Sequence, residues 1–257
     1  MQTVLITGTS TGFGREIASR FLAEGWNVIA TMRDPSASTL PPSERLRVLA
    51  LDVTDAESIA TAVAEAGPID VLVNNAGIGW LNAVEGTPME MVRRIFETNT
   101  FGTIALMQAV LPGMREQQSG VIVNVSSSVT MKALPLLSVY RASKAAVNAL
   151  TEAAALEFAA FGIRVRAVLP GSAPTTSFGS SARAQIAAHG GFPDAYANFA
   201  QKTIAAMQQA AGGPVTTAGD VAEAVFRAAT DPDCPTIVPA GADAIAWDEE
   251  ARKATRR

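Results

Sequence analysis

Tyr140 and Lys144 stand four residues apart in the run Tyr140-Arg141-Ala142-Ser143-Lys144, where a strongly helical pattern begins. That spacing sets both side chains on one face of a helix. A tyrosine with the ordinary pKa of about 10 supplies little phenolate at neutral pH. A neighbouring ammonium favours the charged phenol oxygen, as would a second cation in a site partly shielded from water. Lowering that pKa by about 3 units takes about 4 kcal/mol of preferential stabilisation, which two such cations can supply. The chemistry this allows is transfer of a proton to or from an oxygen. A Tyr–Lys pair on a helix is by itself ordinary surface, so the rest of the chain has to decide.

A second constellation lies near the start. Thr7-Gly8-Thr9-Ser10-Thr11-Gly12-Phe13-Gly14 joins a β-branched run to a helical one. Gly8 permits a tight turn, Gly12 lets the backbone approach a pyrophosphate, and Gly14 allows close packing of helix on strand. The helix start presents free N–H groups and a positive dipole end to phosphates. A glycine cluster alone is weak, but at the first strand–helix junction of a long series it points to a dinucleotide. Asp52-Val53 and Asn74-Asn75-Ala76-Gly77 end later strands. Asp52 can accept from an adenine amino group, small residues let a ribose approach, and the Asn75 amide can hold strands or ribose hydroxyls. The second strand ends Ala30-Thr31-Met32-Arg33, without the acid that usually binds the adenosine ribose of NAD. The Arg33 guanidinium suits a 2′-phosphate instead, which favours NADP(H); a surface pair between Arg33 and Asp34 is the plain alternative.

These residues need elements to hold them. Thr3–Thr7, Asn27–Met32, Leu46–Leu51, Asp70–Val73, Val121–Val125, Ile163–Leu169 and Thr236–Pro239 read as strands, apolar almost throughout as in a sheet covered on both faces. Between them lie helical patterns near Gly12–Glu24, Asp55–Ala66, Met89–Arg115, Tyr140–Phe161 and Ala218–Thr230, and Gly25 is placed to cap the first. The alternation predicts one α/β domain over residues 1–257: a doubly wound, parallel seven-stranded Rossmann sheet with helices on both faces. Pro35–Ser43 reads as a surface loop. The stretch 172–215, with a helix at Asp194–Gln209, follows the carboxyl end of the sixth strand, where such folds carry substrate loops and lids. The basic ending from Arg252 to Arg257 reads as a solvated tail.

Composition closes off other classes. Of 257 residues 48% are hydrophobic, enough for a sizeable core. A net charge of −4 gives no basic face for nucleic acid. The single cysteine, Cys234, forms neither an internal disulfide nor a thiolate metal site, and suits a reducing compartment. No signal peptide or membrane-length apolar run is visible, so a cytoplasmic protein without a membrane partner is expected.

Five features in order resemble the short-chain dehydrogenase/reductase family: Thr7–Gly14, Asn74–Gly77, Asn99, Ser127 and Tyr140-x-x-x-Lys144. Ser127 lies thirteen residues before Tyr140, Asn99 lies twenty-eight before Ser127, and Pro170-Gly171 follows the sixth strand. The resemblance covers roughly residues 1–240. It implies that Tyr140 is the general acid of carbonyl reduction, or the base of alcohol oxidation, and that Lys144 tunes it and holds the nicotinamide ribose. Ser127 would bind the reacting oxygen, although Ser126 and Ser128 flank it and spacing alone leaves three candidates. Asn99 would anchor a water relaying protons to Lys144, or simply cap a helix kink. Gly8, Ser10, Thr11, Gly12, Phe13, Gly14, Arg33, Asp52, Val53, Asn75, Ala76, Gly77, Tyr140, Lys144, Pro170, Gly171, Ala173 and Thr175 would line the cofactor, with no metal required. Pro174 replaces a usual polar residue, which puts the contacts of Ala173 and Thr175 in question.

The reading is an NADP(H)-dependent oxidoreductase for a small carbonyl or secondary alcohol, as a ketone or aldehyde reductase. A nucleotide-sensing protein without turnover should have lost the Tyr–Lys pair or the serine. A halohydrin-dehalogenase-like lyase needs an arginine where Lys144 stands and a halide pocket in place of the glycine turn. Ser127, Leu134, Tyr140 and Phe178 are the candidate substrate contacts, with Leu136 and Ala173 beside them; the single His189 reads as solvated. A homodimer or homotetramer is implied by the resemblance.

Overall fold

The computed structural model describes residues 2–174, 177–210, 213 and 215–255, and for residues 177–181, 183, 210, 254 and 255 the backbone only. Among these, seven strands form one parallel sheet in the order β3-β2-β1-β4-β5-β6-β7. They are β1 Thr3–Thr7, β2 Asn27–Met32, β3 Leu46–Ala50, β4 Val71–Asn74, β5 Gly120–Val125, β6 Ile163–Pro170 and β7 Ile237–Ala240. The chain runs outward from β1 to β3, then returns to β4 and runs outward on the other side. That reversal puts the carboxyl ends of β1 and β4 side by side, the place where open α/β sheets bind ligands.

The strands are apolar because each side chain meets a helix layer. Val4, Ile6, Val28, Ala30, Val71, Val73, Val121 and Val123 share one core with Ile17, Phe21, Val221 and Val225, from α1 (Gly12–Ala23) and α8 (Ala218–Thr230). The alternate residues Leu5, Ile29, Leu72 and Ile122 share the other. Their helical partners include Ile59, Leu106, Met114 and Ala154, from α2 (Ala56–Ala66), α4 (Gly102–Glu116) and α5 (Ser138–Phe158). The two-residue period of a strand thus feeds two cores from one run of sequence. Gly25 ends α1 with φ +78°, its N–H on Leu22 O and that of Trp26 on Phe21 O, a left-handed cap only glycine adopts without strain.

Three expectations need correction. The helix expected over Met89–Arg115 is α3 (Met89–Phe96) and α4, joined by a π turn at Glu97–Phe101. The stretch 172–215 carries α6 (Ser177–Ala188) as well as α7 (Ala197–Ala210). The basic ending is mostly helical: α9 (Ala242–Thr255) includes Arg252 and Lys253, paired with Asp248 and Glu249 one turn back. Among the described residues no helix is long and apolar enough to cross a membrane.

Candidate active site

The glycine turn is squeezed from two sides. Gly8 and Gly12 hold φ of +71° and +57°. A Cβ on Gly14 would collide with the Gly8 carbonyl and with Asn75 Nδ2. Asn75 Nδ2 donates to Thr7 O at 2.8 Å and Gly8 O at 3.1 Å, while its backbone N–H and that of Ala76 donate to Thr7 Oγ1 at 3.0 Å. Of its two anticipated roles the Asn75 amide therefore holds strands together, with both hydrogens on the turn. Thr9 ties the same turn to β2 through Thr31 O. Ser10 is half-buried, Thr11 exposed at the rim, and Phe13 half-buried against the α1 core. The N-cap residue Thr11 does not cap α1 with its side chain and no acid lies in the first turn, so the positive end of the helix faces the cradle. A cradle kept clear of Cβ atoms beside a helix start fits a pyrophosphate.

On the other side of β1, Met32 is buried at the end of β2 and Arg33 is exposed. Asp34 accepts from Ser36 N and Ser36 Oγ, capping the short turn at Pro35–Ala37 rather than pairing with Arg33. Asp52 accepts from Thr54 N and Thr54 Oγ1. Those bonds hold its carboxyl below the usual range against the effect of burial, and Arg33 adds to the lowering. Val53 packs on Gly102, where a Cβ would meet Val53 O at 2.8 Å.

The residues expected to transfer a proton meet where β4, β5 and α5 converge. Tyr140 and Lys144 are both buried on α5, 6% and 5% exposed. The Tyr140 phenol is hydrogen-bonded to the Ser127 side chain, which selects one serine of the three. Ser126 Oγ instead donates to Lys144 O, and Ser128 is buried in the turn after β5. Lys144 Nζ donates to Val125 O at 2.9 Å. Burial pushes Lys144 down to about 8 and Tyr140 up to about 12, with the Ser127 bond opposing the rise. Desolvation of the phenol outweighs the Ser127 bond that favours phenolate.

Asn99 sits in the π turn and clasps the loop after β4. Its Oδ1 accepts from Ile78 N at 2.8 Å, and its Nδ2 donates to Ile78 O and Ser143 Oγ. Its carbonyl accepts from Thr103 Oγ1. Gly77 lies between Asn99 and Lys144; a Cβ there would stand 3.2 Å from Asn99 Oδ1 and 3.5 Å from Lys144 Nζ. Arg141 faces away from the pair and holds the turn after β5, donating to Val129 O and Thr130 O.

After β6, Pro170 ends the strand and the Gly171 N–H donates to Thr216 Oγ1. The Thr216 hydroxyl donates towards Asp243 Oδ1 (2.6 Å) and Ala240 O (3.0 Å), two acceptors at one position. Asp243 also accepts from Ser172 N, and Thr216 N donates to Ser172 O at 2.8 Å. Thr216 and Asp243 were not singled out from sequence; the glycine before α9, Gly241 with φ +91°, was the available signal. Ala173 is half-buried beside this network, and Thr175 lies outside the described residues. Leu134 is half-buried, while Leu136 is buried against Ala83 and Ala200 and so serves packing. Phe178 falls in α6, where its side chain lies outside the described residues. His189 is exposed, but its ring stands edge-on to Trp80 at 5.7 Å.

The model of a family described as short chain dehydrogenase matches residues 2–186. The chain is 35% identical over 240 residues to the uncharacterized oxidoreductase YusZ of Bacillus subtilis (strain 168), covering 88% of this chain and 84% of that protein. A short-chain dehydrogenase from Streptomyces avermitilis has a TM-score of 0.83 at 34% identity, covering 99% of this chain and 93% of its own. A short chain dehydrogenase from Burkholderia cenocepacia J2315 in complex with NADP has a TM-score of 0.78 at 27% identity, covering 99% and 97%. With the parallel sheet and the glycine cradle, these likenesses show that the chain belongs to the short-chain dehydrogenase/reductase family, nicotinamide-binding oxidoreductases acting on alcohol or carbonyl groups.

Proposed function

We propose that the chain reduces a ketone or aldehyde with NADPH. The observation that carries this is the buried Tyr140–Ser127 hydrogen bond beside Lys144. A phenol held up to about 12 keeps its proton at neutral pH, as the donor in a reduction must.

In this reading Ser127 Oγ and the Tyr140 hydroxyl both bond to the substrate carbonyl oxygen, and they stabilise the charge that develops on it. Tyr140 then gives its proton to that oxygen. Lys144, held by Val125 O, would stabilise the phenolate left behind and bond to ribose hydroxyls. Gly8, Ser10, Thr11, Gly12, Phe13 and Gly14 would cradle the pyrophosphate, Asp52 and Val53 the adenine, and Asn75, Ala76 and Gly77 the ribose approach. Pro170, Gly171, Ala173 and Thr175 would border the nicotinamide. The bound nicotinamide would supply the hydride. Asn99 would lend its carbonyl to a water chain leading to Lys144.

Arg33, exposed at the end of β2 and near enough to Asp52 to lower its carboxyl, would favour NADP(H) over NAD(H). Residues 172–215 would form the substrate lid, with Leu134 and Phe178 on the substrate side. Phe101 at the end of the π turn and Leu156 on α5, 52% and 82% exposed, would join two copies into a dimer or tetramer. The lone buried cysteine suits the cytoplasm.

The test is absorbance at 340 nm with NADPH and with NADH, using acetophenone, cyclohexanone and 2-decanone as carbonyl probes and the matching alcohols in reverse. Turnover that is lost in Tyr140→Phe supports the reading. Equal turnover by that variant overturns it.

A further inference from the structure

The loop between β4 and α3 meets the segment before α7, and one buried amide stands at the centre of the contact. Asn82 is 2% exposed. Its Nδ2 donates to Gly86 O at 3.1 Å and to Gly191 O at 3.0 Å, while its Oδ1 accepts from Ala83 N at 2.8 Å. Its backbone N–H donates to Leu136 O at 2.8 Å, four residues before Tyr140. Three segments far apart in sequence therefore converge on one residue. An amide is the side chain for this place, because it offers two donors and one acceptor at once.

Further contacts follow the same seam. Gly86 faces Pro193 so closely that a Cβ would lie 2.5 Å from the ring Cδ and 3.0 Å from Asn82 Oδ1. The Tyr196 hydroxyl is bonded to the Glu85 carboxylate. Phe192 packs into the cluster of Trp80, Met91, Ile95 and Ile186, which reaches Val139, the neighbour of Tyr140. Leu136 holds φ +65°, a left-handed conformation costly for leucine, and it is fixed there by the Asn82 N–H and by packing on Ala83 and Ala200.

We infer that Asn82 is a positioning residue for the reaction: it latches the Gly191–Pro193 segment onto the β4–α3 loop and so closes the substrate side of the Tyr140 site. This role rests on the oxidoreductase reading above. The Asn82 bond to Gly191 O and the Gly86–Pro193 contact are the parts of this seam that a single substitution reaches without touching its apolar packing.

Two variants attack it differently. Asn82→Asp keeps the shape and removes both donors. Gly86→Ala keeps Asn82 and wedges Pro193 away. Each should speed amide hydrogen exchange in peptides spanning residues 186–200 by roughly tenfold, the population change expected for one buried hydrogen bond. Each should also raise KM roughly tenfold for whichever of the three ketone probes wild type reduces fastest, with kcat and the NADPH dissociation constant within about threefold. If Asn82→Asp does not fold, Gly86→Ala decides alone. Faster exchange with KM unmoved would make Asn82 a structural strut only, and unchanged exchange would remove the latch; either overturns the inference. A wild type inert with every probe and both cofactors overturns the oxidoreductase reading itself, a result visible before any variant is made.

Discussion

Replacing Arg33 by alanine should remove most of a preference for NADPH over NADH. A charged hydrogen-bonded contact contributes about 1.5–3 kcal/mol. Arg33 is exposed and shares its field with Asp52, whose carboxyl it helps hold low. Solvent screening and that competing carboxylate place its contribution at the lower end, about 1.5 kcal/mol, or roughly tenfold. The assay is the ratio of kcat/KM for the two cofactors with one ketone, measured in wild type, Arg33→Ala and Asp52→Asn. The ratio should fall roughly tenfold in Arg33→Ala and rise in Asp52→Asn, which frees the guanidinium. Screening lengths shrink from about 30 Å at 0.01 M salt to about 3 Å at 1 M, so the wild-type ratio should fall with salt while that of Arg33→Ala stays flat. A wild type that prefers NADH, or a ratio unmoved by Arg33→Ala, would refute the reasoning.

Tyr140→Phe should lower kcat by about 100- to 10,000-fold, with the NADPH dissociation constant unchanged within a few-fold by fluorescence titration. Gly14→Ala should weaken NADPH binding and lower the Tm together, because its methyl group has only the Gly8 carbonyl and the Asn75 amide to displace. Lys144 has its pKa lowered to about 8 in the folded chain, so the unfolded chain binds more protons between about 8 and 10.5 and stability rises with pH across that window. Lys144→Met lacks this rise, so its stability relative to wild type should decline as pH climbs from 8 to 10.5 in urea titrations; a constant difference refutes the burial of a titrating ammonium.

What could be read from sequence depended on how far apart the partners lie. Tyr140 and Lys144 share a face because the helix fixes that geometry locally, and the strands were legible because burial on both faces leaves an unbroken apolar run. Asn82, Thr216 and Asp243 were not, since their partners lie 109, 45 and 71 residues away at Gly191, Gly171 and Ser172. The π turn at Glu97–Phe101 shifts hydrogen bonding by one residue inside a helical run, which leaves no mark in an apolar period. α9 has little apolar stripe to announce it: Ile245 and Trp247 are the only large apolar residues among the alanines and charges of Ala242–Thr255. Sequence shows a cation four residues from Tyr140 but not the depth of burial around the phenol, which pushes its pKa up.

Ser172 and Thr216 face one another across a single backbone hydrogen bond, and Asp243 staples both to the end of β6. Both ends of the 173–215 stretch are thereby pinned to the carboxyl end of the sheet. Closing a loop of twice the length adds just about 0.6 kcal/mol, so a cassette of different size or composition can be mounted on the same pins. Under the proposed function, substrate range and proton transfer would then be separable under selection: the segment between the pins could be rewritten wholesale while Ser127, Tyr140 and Lys144 stay after β5 and on α5.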